Sequence, residues 1–399
     1  MDRPSIEVAD VIRQAWPSFE VRNHPWFTWL HLKVIRAILS CRTLLLGAHV
    51  DACSRCGHQA ISYNSCRNRH CPRCQTQARD RWIAARTREL LPVPYAHVVF
   101  TLPHALAPLA LQNKKAVYSL LLRSSAETLL EVARDPKHLG AEIGFFSILH
   151  TWNQKLLHHP HVHCVVPAGG LSPAHDRWIS AQPKFFLPVA ALGKVFRGKF
   201  VEGLRRLYQN KGLVFEGKLA PLRKEKTFSE LLRTVHQTRW VVYSKPPFGG
   251  AGQVVQYLGR YTHRVAISSS RLVSLGEGGV TFRWRDSERG NKQRLLTLSA
   301  VEFLRRFLLH VLPSGFVRIR HFGFFAHRRR RELLPLCMNL LGAASAAAAS
   351  PVAPSESSSV DKPLWTCPVC GGSMVVIERL TAEQLQVRLR APPDREVRV

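Results

Sequence analysis

Along the chain the spacing of apolar side chains changes several times, and each change marks an element. Residues 26–50 (WFTWLHLKVIRAILSCRTLLLGAHV) repeat at roughly helical spacing and run into a Cys/His-dense stretch ending at Cys74, the pattern of one small domain. Residues 78–90 (ARDRWIAARTREL) alternate charges among good helix formers and stop before Pro92 and Pro94, which sets a boundary near residue 92. From Tyr95 the compact apolar run YAHVVFTL, ended by Pro103, reads as a buried strand, and residues 105–134 read as helix. Two more strands are expected at 143–152 (IGFFSILHTW) and 161–166 (HVHCVV), the second closed by Pro167, Gly169 and Gly170. Residues 185–210 and 228–238 look helical, RWVVYSK looks strand-like, and PPFGGAG is a loop leading into a helix at about Gln253. Strands and helices mixed without regular alternation predict an α+β fold, an antiparallel sheet with helices on its faces. After FFAHRRRRELLPL the composition turns to Ala, Ser and Pro, so residues 341–363 read as a linker before a tail at 364–399.

Composition adds a partner to this picture. Lys and Arg number 57 against 27 Asp and Glu, a formal charge of +30 spread over the chain. Such a field attracts phosphates and releases their counterions, so a nucleic acid is the expected partner. No run approaches the roughly 18 apolar residues of a membrane span, and the start MDRPSIEVAD is too acidic for a secretory signal. A cytoplasmic protein without a membrane partner is therefore expected. In a reducing compartment, six cysteines between Cys41 and Cys74, with CxxC spacing, point to metal rather than disulfides.

The metal motif is CSRCGHQAISYNSCRNRHCPRC. Two CxxC pairs supply four thiolates to one tetrahedral zinc, so Cys53, Cys56, Cys71 and Cys74 are the first choice of ligands for a structural Zn²⁺. His58, Cys66 and His70 compete as alternative or second-site ligands, and Cys41 reads as a buried thiol. Arg67, Arg69 and Arg73, interleaved with the ligands, suit either phosphate contacts or a solvated basic loop. Near the C terminus Cys367-Pro-Val-Cys370 is another knuckle with no Cys or His after it; it is either half of a site completed elsewhere or, the preferred reading, a remnant without metal.

Two further constellations carry chemistry. In HHPHVHCVV, His159, His161 and His163 recur at period two and so project from one face of a strand. Pro160 suits the start of a strand rather than its middle, which leaves His161 and His163 as the metal clamp. His150 lies opposite them as a third ligand if the two strands form a hairpin across 153–160. In QYLGRYTHRVAIS, Tyr257 and Tyr261 are neighbours on one helical face, and Arg260 with Arg264 form a second i, i+4 pair suited to holding phosphates. Tyrosines on an amphipathic helix most often pack against a sheet; the histidines and arginines point here to chemistry instead.

The order FTLP (100–103), LHTW (149–152), HPHVHCVVP (159–167), YLGRYTHRVAIS (257–268) and FLLHVLPSGFVRIRHFGF (307–324), behind YNSCRNRHCPRC, resembles the two-tyrosine HUH transposases of the bacterial insertion sequence 91 family. The resemblance covers roughly residues 20–335; Ser268, Ser269 and Ser270 depart from the Asn-containing version expected after the tyrosines. It implies an HUH-type antiparallel sheet presenting His161 and His163 from a central strand, with the tyrosine helix across it. It implies Mg²⁺ or Mn²⁺ on the histidines, Tyr257 and Tyr261 as nucleophiles, and single-stranded DNA of transposon ends and targets as the substrate of rolling-circle transposition. Residues 1–91 are then the helical and zinc-binding domain and 92–340 the strand-transferase domain. A plasmid replication initiator or relaxase would share the histidines and tyrosine, but the zinc-domain prefix argues against it. A non-enzymatic zinc-dependent DNA-binding protein is the reading from another class.

Overall fold

The computed structural model describes residues 5–21, 26–87, 89–248, 266–286, 289–342 and 366–390. Tyr257, Tyr261, Arg260, Arg264 and the helix expected from about Gln253 lie outside the described residues, as does most of the expected linker.

Helices α1 (Val8–Val21) and α2 (Trp29–Ser40) come first. The helical reading of residues 26–50 holds only to Ser40. Cys41 closes α2 with its amide on the Ile38 carbonyl, Arg42 takes a left-handed φ of 55°, and the chain passes into β1 (Ala48–Cys53) and its partner β2 (Gln59–Tyr63). Helix α3 (Pro72–Thr87) starts earlier than its charge pattern, because Pro72 sits at the first helical position, where the missing N–H costs nothing.

The central sheet follows. Its strands are β3 (Tyr95–Thr101), β4 (Gly144–Trp152), β5 (His158–Pro167), β8 (Val242–Phe248) and β12 (Ile319–Gly323), in the order β12-β4-β5-β3-β8 with every pair antiparallel. The α+β expectation is met. Strand β5 begins at His158, so Pro160 lies inside it, contrary to the sequence reading. It is tolerated because the β4–β5 register shifts between His150 and Trp152, and because the Pro160 carbonyl still accepts from the Leu102 amide at 3.1 Å. The hairpin turn is built by Asn153, whose Oδ1 accepts from the amides of Lys155 and Leu157, with Leu156 at a φ of 62°.

Strands β4 and β5 are buried on both faces, which is why they read as almost continuous apolar runs. On one face Val98, Phe100, Phe145, Leu149, Val162 and Val166 pack against α4 (Ala107–Gln112), α5 (Lys114–Arg134), α6 (Val189–Gln209) and α7 (Glu225–Gln237). On the other, Tyr95, Ile148 and Val165 lie under Trp82 and Ile83 of α3, which ties the cysteine-rich module to the face bearing the histidines.

The short hairpin β6 (Gly169–Leu171) and β7 (Trp178–Ser180) flanks the sheet. A meander of β9 (Leu272–Gly276), β10 (Gly279–Asp286) and β11 (Lys292–Leu298) leads into α8 (Ala300–Leu309), and both share one core with α1 and α2 through Val11, Ile12, Ile35, Phe282, Phe303 and Phe307. Helix α9 (His327–Leu340) buries Leu333 and Cys337 against Phe146 and Phe324. Last come β13 (Met374–Leu380) and α10 (Ala382–Arg390); β13 pairs antiparallel with β1, opposing Met374 to Cys53, and completes a second sheet in the order β13-β1-β2. Among the described residues no helix is long and apolar enough to cross a membrane.

Candidate metal centres

The antiparallel register opposes His150 to His161 and Ile148 to His163, so all three imidazoles emerge on the α3 face. One ligand atom from each lies within 4.8 Å of the others. The rings of His150 and His163 are 4.5 Å apart, and those of His161 and His163 4.8 Å, each pair steeply inclined, an arrangement in which nitrogens converge on a point rather than rings stack. Burial lowers the pKa of His161 to about 4 and that of His163 well below its ordinary value, so both are neutral at pH 7, the form in which an imidazole binds a metal. The Nδ1–H of His161 donates to the His159 carbonyl at 2.7 Å, which leaves the lone pair of Nε2 available to a metal. His159 therefore serves through its backbone. The donor set is thus suited to a divalent ion.

Sequence reading missed His97. It sits inside the apolar run of β3, and the β3–β5 register, with Thr101 opposite His161 and Val99 opposite His163, brings it to the same face. Its Nε2 lies 2.8 Å from His163 Nδ1, with the two rings nearly parallel. A His163 Nδ1–H donated to His97 directs the other nitrogen of His163 toward His150 and His161. The signal was present as parity: residues 97, 99 and 101 share a strand face.

The cysteines form two groups, and neither is the set expected from sequence. Cys41, Cys66, Cys71 and Cys74 make one; Cys53, Cys56, Cys367 and Cys370 make the other, each with its sulfurs within 4.8 Å of one another. The proposed quartet is split because β1 and β2 carry the first CxxC away from the second. Cys71 immediately precedes α3 and Cys74 lies in its first turn, and Cys41, read as a bystander, closes α2 with its Sγ 3.5 Å from that of Cys74. Cys66 is 3.5 Å from Cys74 and belongs to the first group. The C-terminal knuckle, read as partnerless, has its partners in Cys53 and Cys56. His70 is in neither group; its Nε2 accepts from the Leu312 amide at 3.1 Å. Arg69 donates to the carbonyls of Pro313 and Phe316, and Arg73 pairs with Glu7 and donates to the Cys41 carbonyl. Both hold the module together, while Arg67 is exposed.

Comparison with known proteins gives this architecture its class. The family model described as "Transposase zinc-binding domain" matches residues 11–102, and the one described as "Putative transposase" matches residues 144–332. The chain is 49% identical over 384 residues to "Putative transposase y4qJ" of Sinorhizobium fredii, covering 95% of this chain and 96% of that one. It is 29% identical over 373 residues to the "Transposase for insertion sequence element IS801" of Pseudomonas savastanoi pv. phaseolicola, covering 91% and 88%. No solved structure matches the chain. The chain belongs to the insertion sequence 91 family of transposases, with a zinc-binding domain at its N-terminal end.

Proposed function

We propose that this transposase cleaves and rejoins single-stranded DNA at the ends of its element through 5′-phosphotyrosine intermediates, the rolling-circle mode of transposition. The observation that carries the reading is the convergence of His150, His161 and His163 on one point of a central sheet. These three would hold Mg²⁺ or Mn²⁺, of which the nitrogen-rich donor set favours the softer Mn²⁺. A bound divalent ion polarises the scissile phosphate and neutralises the charge that develops on it. Tyr257 and Tyr261 are the nucleophiles. A phenol of pKa about 10 attacks only once such charge stabilisation favours its phenolate. Attack forms the tyrosine–phosphate ester and releases a 3′-OH; reversal by a 3′-OH rejoins strands without ATP. Arg260 and Arg264 hold neighbouring phosphates.

Support for bringing the tyrosine segment to the histidines comes from its described flank. Ala266, five positions after Tyr261, lines a small cavity with Trp152, and the Trp152 ring stacks on His150 at 4.6 Å.

The deciding experiment incubates labelled single-stranded DNA from the element's own terminus with protein and Mn²⁺. A covalent adduct that survives boiling in detergent is expected. Tyr257→Phe and Tyr261→Phe should each retain part of it, and the double variant none; Phe keeps the ring and removes only the hydroxyl. An adduct formed by the double variant would remove the assignment, and no adduct from the intact protein would leave a DNA-binding role alone.

A further inference from the structure

We infer that the group Cys53, Cys56, Cys367 and Cys370 is a second structural zinc site, a zinc ribbon whose two knuckles lie more than 300 residues apart in sequence. The matched zinc-binding domain ends at residue 102, so half of this site lies outside it. The inference does not depend on the chemistry proposed above.

Both knuckles have the same spelling, Cys53-Ser-Arg-Cys56-Gly57 and Cys367-Pro-Val-Cys370-Gly371. They also fold identically. In the first, the Cys53 amide donates to the His58 carbonyl at 2.9 Å and the Gly57 amide to the Cys53 carbonyl at 3.0 Å. In the second, the Cys367 amide donates to the Gly372 carbonyl at 2.8 Å and the Gly371 amide to the Cys367 carbonyl at 2.9 Å. The two glycines share a left-handed φ, 71° and 70°, the conformation that turns the chain back under the sulfurs and that a side chain would strain. Two segments far apart in sequence converge on one turn because both face the same ligand.

The sulfurs meet the geometric requirement. A zinc ion with Zn–S near 2.3 Å sets tetrahedral S···S distances of about 3.8 Å. Cys53 lies 3.4 Å from Cys370 and Cys56 3.6 Å from Cys367, much too long for disulfides of about 2.05 Å. Each pair joins one cysteine from either knuckle. The frame around them is closed: Ser54 donates through both its amide and its hydroxyl to the Ser373 carbonyl, and a Cβ built on Gly372 would stand 3.0 Å from Cys53 Sγ and 3.3 Å from Cys370 Sγ. Tetrahedral all-sulfur ligation fits zinc or a single iron, and the zinc-binding domain matched over residues 11–102, which contains Cys53 and Cys56, favours zinc.

The test is a metal count on full-length protein prepared without oxygen. Native mass spectrometry should find two zinc ions per chain, and X-ray absorption at the zinc edge should fit four sulfurs per zinc with no nitrogen. The double variant Cys367→Ser/Cys370→Ser should hold one. One zinc in the unaltered chain, a mixed sulfur and nitrogen shell, or iron in the second site would overturn the inference, and so would two zinc ions in the double variant. The measurements on unaltered protein decide the matter even if the variant fails to fold.

Discussion

At the scale of single residues, the proposed metal site separates three converging imidazoles, His150, His161 and His163, from His97, which lies against His163. His161→Ala or His163→Ala should abolish strand cleavage while leaving DNA affinity largely intact, because most affinity comes from distributed Lys and Arg; paired cleavage and anisotropy assays check this. His97 acts through His163. Removing such a partner characteristically weakens metal binding by about 10- to 100-fold. His97→Phe should do so in a Mn²⁺ titration followed by electron paramagnetic resonance, and His97→Gln, which restores an acceptor, should recover part of the loss. Unchanged affinity in His97→Phe would make the 2.8 Å contact mere packing. The shared face of His161 and His163 was legible in the sequence, since period two in a strand fixes which side chains lie together. His97 was not, because a single imidazole in an apolar run reads as core until the strand register is known.

At the scale of elements, α8 and the β4–β5 hairpin are locked by His310. Its Nε2–H donates to the Leu156 carbonyl at 3.0 Å, and its Nδ1 lies 3.2 Å from the Thr151 hydroxyl. Burial lowers its pKa to about 3, so it is neutral when folded but titrates near 6.5 when unfolded. Between those values the unfolded chain binds the extra proton. Stability from this group is complete above pH 6.5 and falls by roughly 1.4 kcal/mol per pH unit as the pH drops toward 3. Urea midpoints measured from pH 7.5 to 4.5 should show a shallower acid loss for His310→Gln than for the unaltered chain. His310→Ala should cost about 2–4 kcal/mol at neutral pH, because it opens a cavity and strands a buried carbonyl. Element types and the hairpin joining His150 to His161 followed from apolar spacing and turn residues. The cysteine pairing did not: sequence nearness favoured joining the first two CxxC pairs, whereas β1 and β2 separate them and β13 brings the third pair alongside. The clue was the repeated Cys-x-x-Cys-Gly spelling, which carries no distance.

At the scale of the whole molecule, the charge of +30 has a candidate route for a DNA strand. A cavity of about 1330 Å³ opens between the start of α2 and α5, with Lys115, Arg123 and Arg320 on its wall and Trp26 beside them. Lys114, by contrast, is spent on structure, donating to the carbonyls of Leu309 and Val311 at 2.9 Å each. Lys115→Glu/Arg123→Glu should weaken single-stranded DNA binding and flatten its salt dependence by a slope of about 1–2, read by anisotropy between 50 and 200 mM salt. An unchanged slope would send the strand elsewhere. The ribbon, meanwhile, has a consequence in time. Cys53 and Cys370 are 317 positions apart, and ribosomes add about 5–20 residues per second. The first knuckle therefore waits roughly 15–60 s during synthesis for its other half. A message broken or a ribosome stalled before the last knuckle yields a protein that cannot close its second metal site. The seam thus stays open to chaperones and proteases until the ribosome has passed Cys370.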